Sequence, residues 1–259
     1  MAESYPFTSA LVTGASSGIG EAMVHLLGDA GVSLVIVARR VDRLNALAEI
    51  YADVEVLRAD LGTTRGVATV VERVSDPERP LDLVVNNAGF GTSGTFHALD
   101  ADRLAKEIAV NCTALTRISR AALEVMVARG SGYLLNVSSV ASFQPVPNLA
   151  VYAATKAFVR SLTESLHEEV RGSGVHVTAL CPGLTHTEFQ NVSNSDSYAG
   201  RFPSFAWLSA HDVAATGLDD VARGRAVSIP GMLYKGLATA SSTTPRGVVR
   251  RIAGFIQRS

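Results

Sequence analysis

Short apolar runs alternate with longer stretches in which apolar residues recur at every third or fourth position. Six runs, at 10–13, 33–38, 54–58, 82–86, 132–137 and 175–181, are strand-sized and apolar on both faces, as parallel strands covered on both sides must be. A seventh, at 226–229, is closed by Pro230-Gly231. Helical patterns lie between them. One covers 18–30, with Met23, Leu26 and Leu27 on one face and Gly31 as its stop signal. Another covers 41–51, where Leu44, Leu47 and Ala48 fall at helical spacing, and a long one begins near Tyr152 and reaches Val170. Strand–helix–strand alternation predicts an α/β fold, a doubly wound parallel sheet of about seven strands flanked by helices on both faces.

No Pro/Ser-rich linker and no repeat interrupts the pattern, so residues 1–259 are read as a single Rossmann-type domain. With 47% hydrophobic and 18% charged residues, the composition excludes disorder. Lys and Arg (23) nearly balance Asp and Glu (24), so no global field favours nucleic acid. Cys112 and Cys181 sit in apolar surroundings and read as buried thiols rather than a disulfide. The N-terminus carries an early Glu and lacks a basic leader region, and the longest apolar runs fall far short of a membrane span. The expectation is a soluble, cytoplasmic protein.

The first chemical signal is Thr13-Gly14-Ala15-Ser16-Ser17-Gly18-Ile19-Gly20, between the first strand and the first helix. Glycines there permit a tight turn, close approach of backbone to a pyrophosphate, and packing of helix on sheet. A capped helix starting at this point offers unpaired N–H groups to phosphate. Three residues, rather than one, separate the first two glycines. At the end of the second strand the chain reads Ala38-Arg39-Arg40, with no carboxylate to hold a ribose 2′-hydroxyl. An arginine there can pair with a 2′-phosphate, which favours NADP(H) over NAD(H).

The second signal is Tyr152 and Lys156, four residues apart and so on one helix face. A phenol with a pKa near ~10 needs help to exchange protons at neutral pH, and a nearby ammonium lowers that value. Ser138-Ser139 ends a buried strand, at the sheet edge where ligands bind in such folds. Asn86-Asn87-Ala88-Gly89 ends the fourth strand at the same edge, with Asx-turn chemistry as its plainer reading. Asn111 lies in an apolar helical stretch, where a buried amide needs a partner.

In order and spacing, these elements with Pro182-Gly183 resemble the short-chain dehydrogenases/reductases from about residue 8 to 190. The resemblance implies that Tyr152 is the general acid/base and that Ser139, with Ser138 as the alternative, binds the substrate oxygen. It implies that Lys156 holds the nicotinamide ribose and depresses the Tyr152 pKa, and that Asn111 holds a water linking Lys156 to solvent. For the cofactor it implies the turn residues Gly14, Ser16, Ser17, Gly18, Ile19 and Gly20. It adds Arg39 and Arg40, Asp60 and Leu61 at the adenine, and Asn87, Ala88 and Gly89 beside the adenosine ribose. Pro182, Gly183 and Thr187 complete the set near the carboxamide. No His/Cys/Asp cluster suggests a metal.

Residues 185–210 are polar but carry Phe189, Tyr198, Phe202, Phe205 and Trp207, and read as a mobile lid or as a satellite core beneath a long loop. With Phe143, Pro145, Val146 and Leu149 they suggest a hydrophobic carbonyl or alcohol substrate of fatty acyl, steroid, retinoid or terpenoid type. His186 and His211 read as solvated or structural. The basic tail, 235–259, suits a terminal helix packed by one face, or an amphipathic helix touching a membrane or a partner subunit. The resemblance implies a homodimer or homotetramer. The rival reading is a non-catalytic dinucleotide-binding regulatory or structural protein of the same fold, which predicts a broken tetrad, whereas all four positions are intact. An epimerase or dehydratase usually needs a larger substrate domain.

Overall fold

The computed structural model describes residues 5–193, 203–245, 247–248 and 250–251. Seven strands, β1 (Ser9–Thr13), β2 (Ser33–Ala38), β3 (Val54–Arg58), β4 (Leu83–Asn86), β5 (Gly132–Val137), β6 (Val175–Leu180) and β7 (Val227–Ser228), form one parallel sheet. Their order is β3-β2-β1-β4-β5-β6-β7, so the winding reverses between β1 and β4, where Val12 pairs with Val85. A crevice opens beyond the strand ends at such a reversal, and the site lies there.

Alternation along the central strands explains why they are apolar throughout. Ala10, Val12, Leu34 and Ile36 enter one buried layer with Met23, Leu27 and Leu218, while Leu11, Val35 and Val37 enter the other with Ile118, Met126 and Val177. The helices α1 (Gly18–Asp29), α2 (Val41–Ala48), α3 (Thr64–Val74), α4 (Ala101–Ile108), α5 (Leu115–Arg129) and α6 (Ala150–Glu169) follow in order. A π-helical turn, Ala109–Ala114, joins α4 to α5. The short α7 (Phe189–Ser193), then α8 (Ala210–Ala222) and α9 (Met232–Thr243), complete the described elements. Thr63, Asp100 and Ser209 cap α3, α4 and α8 by accepting from the amides of Gly66, Arg103 and Asp212. Among the described residues no helix is long and apolar enough to cross a membrane.

Two expectations change. β3 is half-exposed rather than buried on both faces, because it forms an edge of the sheet. Its Glu55 is spent on Arg73 and Arg79 at 2.8 and 3.0 Å. α2 stops at Ala48 rather than 51. Leaving the helix lays the Tyr51 ring over Gly28 of α1, with its hydroxyl 2.9 Å from His25 Nδ1. Of the expected lid and tail, residues 194–202, 246, 249 and 252–259 lie outside the described residues.

Candidate active site

A continuous cavity of about 690 Å³ follows the carboxyl edge of the sheet. The expected catalytic and cofactor residues line it except Gly20 and Asn111; at the substrate end Phe143, Val146, Leu149, Phe189 and Phe205 line it, whereas Pro145 and Trp207 do not. At one end stands the glycine turn. Gly14 and Gly18 have φ of +67° and +61°, which a side chain would strain. A Cβ on Gly18 would sit 2.9 Å from the Thr187 methyl, so the turn is roofed by the chain that follows β6. Asn87 braces the turn from below by donating to the carbonyls of Thr13 and Gly14 at 2.9 and 3.3 Å. Ser17 does not cap α1; its hydroxyl instead accepts from Arg40 at 2.8 Å. The expected cap is therefore missing, and the first amides of α1 remain available to an anion.

Arg39 and Arg40 diverge. Arg39 is exposed at the cavity wall, with Asp60 in electrostatic reach. Arg40 folds back on Ser16 and Ser17 and pairs with Glu188 at 2.8 Å. Glu188 also holds Arg43 at 2.7 Å, and both guanidinium groups keep its carboxyl below the usual range. Burial works against the Asp60 anion, but the Gly62 amide at 3.0 Å and Lys106 at 3.3 Å more than offset it, and its pKa is lowered.

The other end holds the reactive groups. Tyr152 and Lys156 project from the first two turns of α6, with the ammonium 5.7 Å from the phenol ring centre. Lys156 Nζ donates to the Val137 carbonyl at 2.8 Å. The Ser139 hydroxyl is near enough to Tyr152 to lower its pKa by hydrogen bonding. The Ser138 hydroxyl donates to the Lys156 carbonyl at 2.7 Å. Asn86 belongs to the core rather than to a turn; it donates to Ser119 and Asn136 at 3.0 and 2.9 Å.

The Asn111 side chain is hydrogen-bonded at both of its polar atoms. Its amide donates to the Phe90 carbonyl at 2.8 Å and to Thr155 Oγ1 at 3.0 Å, and its oxygen accepts from Phe90 N at 3.1 Å. Both N–H groups are thus committed to fastening the loop after β4 onto α6. The side chain lies in the π-helical turn, an irregularity that recurs at functional sites. Gly89 fits between the two groups: a Cβ there would lie 3.0 Å from Asn111 Oδ1 and 3.3 Å from Lys156 Nζ.

Burial dominates the electrostatics. It pushes Tyr152 up to about 12, against a smaller downward pull from Ser139. It pushes Lys156 down to about 8, against upward pulls from Cys112, Cys181 and Glu107. In the free protein desolvation of the phenolate is the larger effect, and the Lys156 ammonium donates to the Val137 carbonyl. In this state Tyr152 is a neutral phenol.

Several participants escaped the sequence reading. Glu188, Arg43 and Lys106 meet the site only through tertiary contacts. Tyr234 of α9 covers Gly183, accepts from Leu184 N at 3.0 Å and donates to the Ala206 carbonyl at 2.7 Å. The loop expected as a lid has a pinned base: Leu208 N donates to the Leu184 carbonyl at 2.9 Å, and His186 N to the Leu208 carbonyl at 3.0 Å. His186 stacks on Trp207, a structural role. Phe189 lies 5.2 Å from the Tyr152 ring and, with Phe143, Val146 and Leu149, makes this end of the cavity apolar.

The profile of the short chain dehydrogenases matches residues 8–197. An uncharacterized oxidoreductase of Myxococcus xanthus is 36% identical over 232 residues, covering 88% of this chain and 89% of its own length. Among solved structures, the short-chain dehydrogenase from Sphingobium yanoikuyae in complex with NADPH superposes with a TM-score of 0.81 at 34% identity, over 90% of this chain and 92% of that one. The bulky-bulky ketone specific alcohol dehydrogenase from Comamonas testosteroni gives 0.76 at 28% identity, over 92% and 95%. A parallel sheet with a glycine turn at its reversal and a Tyr–Lys pair at the same edge defines a class of oxidoreductase. This chain belongs to the short-chain dehydrogenase family.

Proposed function

We propose that the chain is an NADP(H)-dependent oxidoreductase interconverting a hydrophobic carbonyl compound and its alcohol, with Tyr152 as the proton donor. One observation carries this reading: Tyr152, Ser139 and Lys156 line one end of a cavity whose other end is lined by the glycine turn, Arg39 and Arg40. The uncapped amides of α1 and the roofed glycines suit a pyrophosphate, and Arg39, exposed at the cavity wall, suits a 2′-phosphate. A reduced nicotinamide held there supplies the hydride.

The chain's own residues do the rest. Ser139 donates to the substrate oxygen and orients it toward the phenol. Tyr152, near 12 and so fully protonated at neutral pH, gives up its proton to that oxygen as negative charge develops there. Lys156, near 8, exchanges protons near neutrality and stabilises the phenolate left behind. Asn111 fixes the loop on which Gly89 and Phe90 sit. The apolar end excludes water and selects the substrate by shape, which suits ketones with two bulky substituents.

A panel of hydrophobic ketones and aldehydes, followed by NADPH absorbance, tests this directly. Tyr152→Phe is expected to abolish turnover while leaving NADPH fluorescence titration unchanged. Turnover retained in that variant, or tighter binding of NADH than of NADPH, contradicts the assignment.

A further inference from the structure

Glu107 of α4 is wholly buried, and among the described residues neither of its carboxyl oxygens has a hydrogen-bond partner. The Thr92 hydroxyl, set beside it by the loop after β4, is also buried and unpartnered. Sequestering a carboxyl in this way costs the fold free energy that an apolar side chain would not. Neither group has a part in the proton transfer described above. A buried titratable side chain kept unpaired beside a reactive pair points to chemistry rather than packing.

Glu107 lies one helical turn before Asn111, which pins Phe90 of the same loop that carries Thr92. That loop also touches the catalytic lysine: a Cβ at Gly89 would lie 3.3 Å from Lys156 Nζ. The charged and titratable groups facing the carboxyl are Arg103 from α4 itself, Cys112 from the π-helical turn, and Tyr152 and Lys156 from α6. Arg103 is exposed, lies 5.4 Å from the Phe90 ring centre and donates to the Val192 carbonyl. A guanidinium keeps its charge at every working pH. Of the two cations, only Lys156 switches.

Seen from Lys156, Glu107 is again singled out. Burial discharges the ammonium, and Cys112, Cys181 and Glu107 oppose it. Both thiols are themselves pushed up by burial, Cys181 to about 11, and carry no charge near neutrality. Glu107 is the only one of the three whose ordinary range lies below neutrality. The same anion opposes a phenolate at Tyr152. A carboxylate here therefore favours phenol with ammonium, the proton-loaded form of the pair. We propose that Glu107 is a positioning residue for the catalytic protons: its carboxylate holds Lys156 as the ammonium and Tyr152 as the phenol, and so sets the upper pH limit of carbonyl reduction. Glu107 does not line the cavity and acts through Lys156. The consequence for turnover rests on the reductase reading above; the coupling of Glu107 to Lys156 does not.

Two readouts test this. Infrared difference spectra of the full chain, with and without Glu107→Gln, isolate the carbonyl stretch of the protonated Glu107 carboxyl and need no substrate. Loss of that band as pH rises follows the Glu107 proton. In a Lys156→Met background the midpoint is expected to move up by about one pH unit, a tenfold change in proton affinity. The second readout is the pH profile of kcat for ketone reduction. Glu107→Gln is expected to move its alkaline limb down by about one pH unit, with the loss in kcat rather than in KM for NADPH. Thr92→Val, which keeps the shape and removes the hydroxyl that favours the carboxylate, is expected to shift the limb the same way by less. A band midpoint that is the same with and without Lys156 overturns the proposal, as does an alkaline limb that Glu107→Gln leaves in place; a purely structural Glu107 gives both results. A wild-type chain inactive toward every ketone, with the infrared coupling intact, leaves the coupling standing and indicts only the reductase reading.

Discussion

Glu188 reaches across the outer lip of the cavity to Arg40 at 2.8 Å, joining the chain after β6 to the chain after β2. The same carboxylate holds Arg43 at 2.7 Å, so one anion engages two guanidinium groups beside the glycine turn. A 2′-phosphate arriving at this lip must compete with it. Both partners are about two-fifths exposed, and pairs of this kind contribute about 0.2–1 kcal/mol. Glu188→Gln is therefore expected to tighten NADPH by about two- to fivefold and to leave NADH unchanged. Fluorescence titration of both nucleotides checks it; an equal gain for NADH would place the effect elsewhere.

Arg39 supplies the complementary experiment. It makes no hydrogen bond among the described residues, and it lies within electrostatic reach of the Asp60 carboxylate. A free guanidinium at the end of β2 has little structural work to lose. Arg39→Ala is expected to weaken NADPH about tenfold, the loss of a charged hydrogen bond, and to change NADH by less than about twofold. Arg40→Ala, by contrast, releases Ser16, Ser17 and Glu188 together and weakens both nucleotides.

These two arginines show what a sequence can and cannot disclose. Where chemistry dictates residue type at fixed spacing, as for Gly14, Gly18, Tyr152 and Lys156, the chain is legible because neighbouring turns of one element position the groups. The central strands are legible for the same local reason, whereas the half-exposed β3 is not, since an edge position belongs to the whole sheet. That Arg40 pairs with Glu188, 148 residues away, while Arg39 stays exposed is a tertiary fact that no local pattern announces. The spacing of Tyr152 and Lys156 likewise shows that the two are near but not that the Lys156 ammonium donates to the Val137 carbonyl.

Lys156 should cost the protein stability. Its folded value, about 8, lies below the ordinary 10.5, so the unfolded chain binds its proton more tightly. The penalty is complete below about pH 8, where both states are charged, and fades as pH rises toward 10.5. Lys156→Met is expected to abolish turnover yet raise Tm at pH 7 by about 4–8 °C, net of the lost bond to Val137, with the gain shrinking above pH 8. Differential scanning fluorimetry across that range decides it. An unchanged or lowered Tm at pH 7 would show that the ammonium is solvated better than its burial implies.

Glu107 of α4, one turn before Asn111, is wholly buried, and neither carboxyl oxygen has a hydrogen-bond partner among the described residues. The Thr92 hydroxyl beside it is in the same condition. Burial raises the Glu107 pKa, while Thr92, Arg103 and Lys156 pull it down less strongly. A carboxyl with a raised folded value stabilises the fold fully below its unfolded value and loses that contribution as pH climbs through the folded one. Glu107→Gln keeps the shape and removes the ionisation. It is expected to raise Tm at pH 8 by about 2–4 °C, roughly the effect of 1 kcal/mol in a chain of this size, and to leave Tm unchanged at pH 4. Thermal melts at the two pH values separate the outcomes. A fall in Tm at pH 8 would mean that the ionised carboxylate has found a partner, and Lys156 is the cation facing it from α6.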